Sequence, residues 1–216
     1  VYLYKVTLNI APGGSVSINN GADYANSRSV TLSLPATDDS GVVTQMRISN
    51  DGVFDTEPWQ SYSPTKAWTL PAGDGVKTVY VRYRDASHYT SDTFSDSIIL
   101  DTTPPAITAV TASPAMVAQG DPVRISASTT DNNGVVAVMV NEEAGLSKIG
   151  EDTWEGLLTA GAPGAYGVRV DATDVAGNVA TYSTHAYVAA PVAAISSRHL
   201  FDEALARAST QYLFKA

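Results

Sequence analysis

The chain has 216 residues, of which 44% are hydrophobic and 16% charged, with a net charge of −9 and no cysteine. The length exceeds the ~100 to 150 residues of a typical single domain, so two modest cores are the default. Lack of cysteine removes disulfides, thiol catalysis and cysteine-based zinc sites, and the acidic balance without a Lys/Arg cluster argues against nucleic acid and anionic membranes as partners. Residues 1–101 carry 7 basic and 11 acidic groups and residues 102–190 carry 3 and 9, so both halves share the acidity. No apolar run approaches the ~20 residues of a membrane span, and no signal peptide is visible. A start at Val1 rather than Met is expected of a processed chain or a fragment.

Residues 1–10 alternate, with Tyr2, Tyr4, Val6, Leu8 and Ile10 on one face, the period of a half-buried strand. It reads first as the last strand of a preceding module, then as an extra edge strand, and last as a strand given to a neighbouring subunit. Pro12-Gly13-Gly14 breaks it, and Asn19-Asn20-Gly21 turns the chain into a strand from Ser29 to Leu34. A further strand runs from Val42 to Ile48 and closes at Asn50-Asp51-Gly52, and residues 53–65 read as an irregular crossing segment. Trp68 opens a short strand, and Asp74-Gly75 leads into residues 76–84, where Val79, Val81 and Tyr83 face one way and Thr78, Tyr80, Arg82 and Arg84 the other. Ser97 to Leu100 ends the first module.

The stretch from Thr37 to Met46, with Asp38, Asp39 and Gly41, returns ninety-three positions later from Thr130 to Met139, with Asp131, Asn132 and Gly134. A repeat at that spacing means two related modules. Between them, Pro104 and Pro105 fix φ and remove two amide donors, making residues 102–105 a short, stiff, extended connector. The second module repeats the plan with strands at 122–127, 135–140, 166–172 and 181–188, Trp154 standing where Trp68 stands in the first. Short strands at regular spacing define an all-β chain of two tandem β-sandwiches, residues 11–101 and 106–189. From Ala190 the character changes, and Ser196 or Ser197 caps an expected short helix with Leu200, Phe201, Ala204, Leu205 and Ala208 in one stripe.

Several stretches resemble the Ig-like or fibronectin III-like repeats of large secreted bacterial and archaeal surface proteins. They are Asn20-Gly21-x-x-Tyr24-x-Asn26-Ser27, Arg47-Ile48-Ser49-Asn50-Asp51-Gly52, Lys66 to Pro71, Lys77 to Ala86 and Leu100 to Pro105, with Asp171 to Asn178 similar to a related type. The likeness covers about residues 12–189 and implies Ig-like folds in an extracellular setting, where such modules act as spacers, adhesin stalks, enzyme appendages or filament components. One departure is visible. The family pattern Asp-Ala-Ala-Gly-Asn is replaced by Asp85-Ala86-Ser87-His88-Tyr89-Thr90, which reads as a tight turn grown into a longer loop.

Candidate sites follow from residue chemistry. His88, His185 and His199 are scattered and no nucleophile or zinc motif accompanies them, so an enzyme is not expected. Calcium needs six to eight oxygens, which Asp38, Asp39, Asp85 and Asp101 would offer in the first module and Asp131, Asn132 and Asp174 in the second. The competing reading gives these carboxylates to backbone amides in turns, with no cofactor at all. Sugar binding uses exposed aromatic faces with polar neighbours, for which Trp59, Tyr62, Glu57, Tyr80 and Tyr89 are the candidates. The functional expectation is a noncatalytic extracellular structural or adhesion module, whose partners are other domains of its protein or neighbouring subunits. A carbohydrate-binding accessory module taking polysaccharide, and a filament or surface-layer subunit assembling through residues 1–10 and the tail, are the alternatives.

Overall fold

A computed structural model describes residues 9–39 and 41–191. The chain forms two compact units dividing between Thr103 and Pro104, and no helix occurs among the described residues. In the first unit the long strands Val43–Ser49, Gly75–Asp85 and Phe94–Leu100 form a five-stranded sheet edged by Tyr24–Ala25 and Gln60–Ser61. The opposing sheet is Ser17–Ile18, Ser29–Ser33 and Thr65–Thr69, and Gly13–Gly14 pairs separately with Ala36–Thr37. Strict alternation turns Val79, Val81 and Tyr83 inward from one sheet and Val30 and Leu32 from the other, and these meet Ile18, Leu34, Met46, Ile48 and Leu100 in one core. Each of the larger aliphatic side chains contributes about 1.5–3 kcal/mol by leaving water.

The second unit repeats this plan. Met116–Ala118, Val179–Ala190, Gly164–Asp174, Val135–Val140 and Ala144–Gly145 make the five-stranded sheet, and Ala106–Ser113, Pro122–Thr130, Thr153–Thr159 and Ser147–Lys148 the other. Val123, Ile125, Val138, Val140, Val168 and Val170 fill the core, with Trp154 buried and its indole N–H donating to Thr129 Oγ1 at 3.0 Å. Trp68, its counterpart, is half-buried against the first core and donates to Asn50 Oδ1 at 2.8 Å. In both units the last strand pairs in parallel with a short strand near the unit's start, Ile99–Leu100 with Tyr24–Ala25 and Val188–Ala190 with Met116–Ala118.

The duplicated loop has a common geometric task. Gly41 and Gly134 take positive φ, 92° and 103°, and each loop feeds a strand with a register shift two residues in, between Val43 and Gln45 and between Val135 and Ala137. A similar irregularity explains a strand that sequence reading misses. In Ala106–Ser113 a shift between Ile107 and Ala109 puts Ile107, Val110 and Ala112 on the core side, so the apolar residues break the two-residue period. Trp68 lies near the end of its strand rather than at its start, since cross-strand bonds already begin at Thr65. The strand expected over residues 1–10 falls outside the described residues except for Asn9 and Ile10, which are in no strand, and the helical tail lies outside them beyond Pro191.

The departure at Asp85 is not a longer loop. Asp85 N–H donates to Tyr89 C=O at 3.2 Å as Asp174 N–H does to Asn178 C=O at 3.1 Å, so the two turns have the same length, and His88 (φ 71°) occupies the place of Gly177 (φ 89°). Left-handed φ costs an L-residue about 1–2 kcal/mol, part of which glycine's backbone entropy would return. His88→Gly is therefore expected to raise the first module's unfolding free energy by about 0.5–1 kcal/mol, and Gly177→Ala to lower the second's by about 1–2 kcal/mol, both read from urea unfolding.

Candidate functional site

The crossing segment after Ser49 is a strap laid on the outside of the five-stranded sheet. Gly52 (φ 79°) closes the turn so tightly over Tyr80 that an added Cβ would stand 3.3 Å from its ring. Arg47 Nη1 donates to Phe54 C=O at 2.7 Å, the Arg82 guanidinium lies 4.7 Å from the Phe54 ring centre, and those of Arg84 and Arg47 lie 3.8 and 4.8 Å from that of Trp59. Outward alternation on two adjacent strands thus gathers three arginines, and two strap aromatics hold them by cation–π attraction of about 0.5–2 kcal/mol each.

The aromatic candidates separate. Met46 faces the core and Gln60 is its cross-strand partner, so alternation sends Tyr62 to the inner side and Trp59 to the outer. Tyr62 packs edge-on to Tyr83 at 6.0 Å, donates its hydroxyl to Leu34 C=O at 3.0 Å and accepts from Ala36 N–H at 3.2 Å. Tyr89 is 52% exposed on the turn after Asp85. Glu57, half-buried in the strap, holds its Oε2 away from solvent without a hydrogen-bond partner. Arg47 is the residue sequence reasoning missed, because its role depends on the path of a strap with no periodicity. Arg82 and Arg84 were legible as outward-facing.

The aspartates hold turns together. Asp85 and Asp174 are fully buried. Asp174 accepts from Asn178 N–H and from Asn178 Nδ2, both at 2.8 Å. Asp85 accepts from Tyr89 N–H at 2.8 Å, but Tyr89 has no side-chain amide to offer its second oxygen, and Asn9, from the start of the chain's first unit, supplies one at 2.8 Å. Asp131 Oδ1 accepts from the amides of Asn133 and Gly134 at 2.9 Å, in a loop that brings the carboxylates of Asp131 and Asp174 within 4.8 Å of each other. Asp39 accepts from Ile10 N–H at 3.3 Å, Asp38 C=O from Gly41 N–H at 3.0 Å, and buried Asp101 from Thr103 N–H at 3.1 Å. The bond at Asp38 is to its backbone carbonyl, whereas those at Asp39, Asp85, Asp101, Asp131 and Asp174 occupy the carboxylates within their own module.

A third arrangement involves no predicted site residue. Asp74 Oδ1 accepts from Thr102 N–H at 3.0 Å and Thr102 Oγ1 at 2.8 Å, and Asp74 Oδ2 accepts from Thr103 Oγ1 at 2.6 Å. The last residues of the first unit are thereby clamped to the turn before Gly75–Asp85. These bonds, Thr103 hydroxyl first and the Thr102 amide and hydroxyl next, hold the Asp74 pKa below the ordinary carboxylate value.

Both units are Ig-like, fibronectin III-like β-sandwiches, with two facing sheets and a last strand paired in parallel with a short strand near the unit's start. No family model matches the chain, and no curated protein matches it in sequence. Among solved structures it is similar to the fibronectin(III)-like modules of Clostridium thermocellum CbhA, with TM-score 0.51 and 18% identity over 81% of this chain and 94% of that one. The Escherichia coli adhesin FdeC is similar with TM-score 0.41 and 13% identity, over 83% of this chain and 66% of that one. At these identities the likeness to the CbhA modules establishes the fold.

Proposed function

We propose that the chain is a noncatalytic structural or adhesion segment of an extracellular surface protein, whose two sandwiches set the distance and direction between parts on either side. The observation that carries this reading is the Asp74 clamp on Thr102 and Thr103. A connector meant only to tether needs no hydrogen bonds to the module it leaves, whereas one that transmits direction does. The paired prolines that follow restrict the chain further. The described histidines, His88 and His185, lie in different units, and His199 lies outside the described residues.

Asp74→Ala is expected to widen the spread of inter-module orientations, measured by small-angle scattering and residual dipolar couplings, while both modules stay folded. An equally broad spread in the unaltered protein would overturn the reading. The pH dependence has a definite sign. A depressed folded-state pKa means the clamp is at full strength above the unfolded value and is lost as pH falls through the folded one. The spread should therefore widen in acid, below the ordinary carboxylate range, and stay constant from there to neutral pH.

A further inference from the structure

We propose that the outer sheet face of the first module, built from Arg47, Arg82 and Arg84 with Trp59 and Phe54, binds the carboxylates of an acidic, uronate-bearing polysaccharide. Arg47 and Arg82 are directly opposed cross-strand partners, an arrangement in which like charges repel, and Arg84 sits two residues along the same strand. The first half of the chain has eleven acidic groups, yet no carboxylate of the described residues forms an ion pair with any of the three, including Glu57 of the strap. The guanidinium of Arg84 makes no hydrogen bond among the described residues, and the Nε groups of both Arg84 and Arg47 are shielded from solvent and unpartnered. Those Nε groups lie out of a ligand's reach, so it is the terminal Nη groups of Arg84 that are left to meet an acceptor from outside the chain.

The second module supplies the contrast. Matching Asp85 with Asp174 places Arg169 at the position of Tyr80, on the same outer face. Arg169 pairs with Glu142 and, at 3.0 Å, with Asp171, and Asp171 also accepts from Thr181 Oγ1 at 2.5 Å. Asp171 stands where Arg82 stands, and its cross-strand partner Met139 stands where Arg47 does. One copy of the sheet therefore neutralises its arginine internally, and the other concentrates three and neutralises none.

The aromatic contacts decide what the arginines present. Arg47 gives Nη1 to Phe54 C=O and Arg82 gives Nε to Thr93 Oγ1, each at 2.7 Å, while Arg84, stacked over Trp59, keeps both Nη groups for a carboxylate, which a planar guanidinium meets in two parallel bonds. Phe54 and Trp59 hold the forks in place beforehand, which lowers the entropic cost of binding. The site is a sheet face and not an edge, so an extended peptide laid across it gains none of the ladder hydrogen bonds that give strand addition its affinity, whereas a polyuronate presents a carboxylate on each sugar ring and needs no ladder. A phosphate polymer brings a denser charge against a chain of net charge −9.

The test is calorimetric titration of the full chain at low salt with oligogalacturonate and alginate oligosaccharides, beside cellohexaose, polyglutamate and single-stranded DNA. The expected result is binding of at least one uronate series, weakened by salt, and none of cellohexaose. Arg84→Gln should weaken it by on the order of tenfold or more, with Arg84→Lys in between because it keeps the charge and loses the fork. Should Arg84→Gln fail to fold by circular dichroism, Arg82→Gln carries the same expectation. No binding of either uronate, an unchanged affinity in the folded glutamine variant, or binding of polyglutamate or DNA as tight as that of uronate would overturn the proposal. The spacer reading is judged separately, on the Asp74 measurements.

Discussion

Tyr83→Ala is expected to lower the stability of the first module by about 3–5 kcal/mol, among the largest effects available to a single substitution in this chain. Tyr83 is fully buried at the junction of both sheets. Its ring meets Tyr62 edge-on at 6.0 Å and Phe94 at 5.9 Å, and its hydroxyl donates to Ser15 C=O at 2.5 Å. Gly14 lies so close beneath that an added Cβ would come within 2.6 Å of the ring, so the entering chain is shaped around this one side chain. Burial first, and Tyr62 second, push the phenol pKa far above its ordinary value, so the group stays neutral and donating throughout the usual range. Tyr83→Phe keeps the ring and loses the bond, for an expected cost of about 1 kcal/mol. Two unfolding transitions by calorimetry, of which only one moves, are the expected readout. A phenylalanine variant as unstable as the alanine one would count against packing as the main term.

Asp174→Ala should cost the second module about 2–4 kcal/mol, because the buried carboxylate accepts from both the backbone and the side-chain amide of Asn178 and its loss removes both charge-assisted bonds. Asp174→Asn retains one acceptor and should fall between, with urea unfolding monitored by Trp154 fluorescence as the measurement. An asparagine variant as stable as the parent would show that the second oxygen contributes nothing. The comparison with Asp85→Ala is informative, since there the two donors come from different residues, Tyr89 N–H and Asn9 Nδ2.

Much of this fold was legible in the residues. Alternation placed Val79, Val81 and Tyr83 inward and Arg82 and Arg84 outward, and the repeat at ninety-three positions marked two modules of one plan. What escaped did so for physical reasons. Strand Ala106–Ser113 was hidden by a bulge that turns a two-residue period into three at Ile107 and Val110. The turn at Asp85 looked expanded because His88 holds a conformation that sequence assigns to glycine. The arginine face was half visible. Its third member, Arg47, lies on the neighbouring strand Val43–Ser49, and its aromatic supports come from a strap whose path is set by Gly52 over Tyr80 and by Arg47 reaching Phe54 C=O, contacts with no sequence period. Asp74 gave no signal, since a carboxylate in an Asp-Gly turn reads as turn chemistry alone.

The parallel pairing of each unit's last strand with a short strand near its start also bears on how each sandwich meets tension. When a chain is pulled by its two ends, such parallel partners are drawn past each other along the strand axis once the tension reaches them. Their hydrogen bonds are then loaded together in shear, rather than one after another as in a hairpin peeled from its open end. The first module has two such registered pairs, Ile99 with Tyr24 and Leu100 with Ala25, and the second has three. On that ground alone, the first module's clasp offers fewer bonds against shear than the second's.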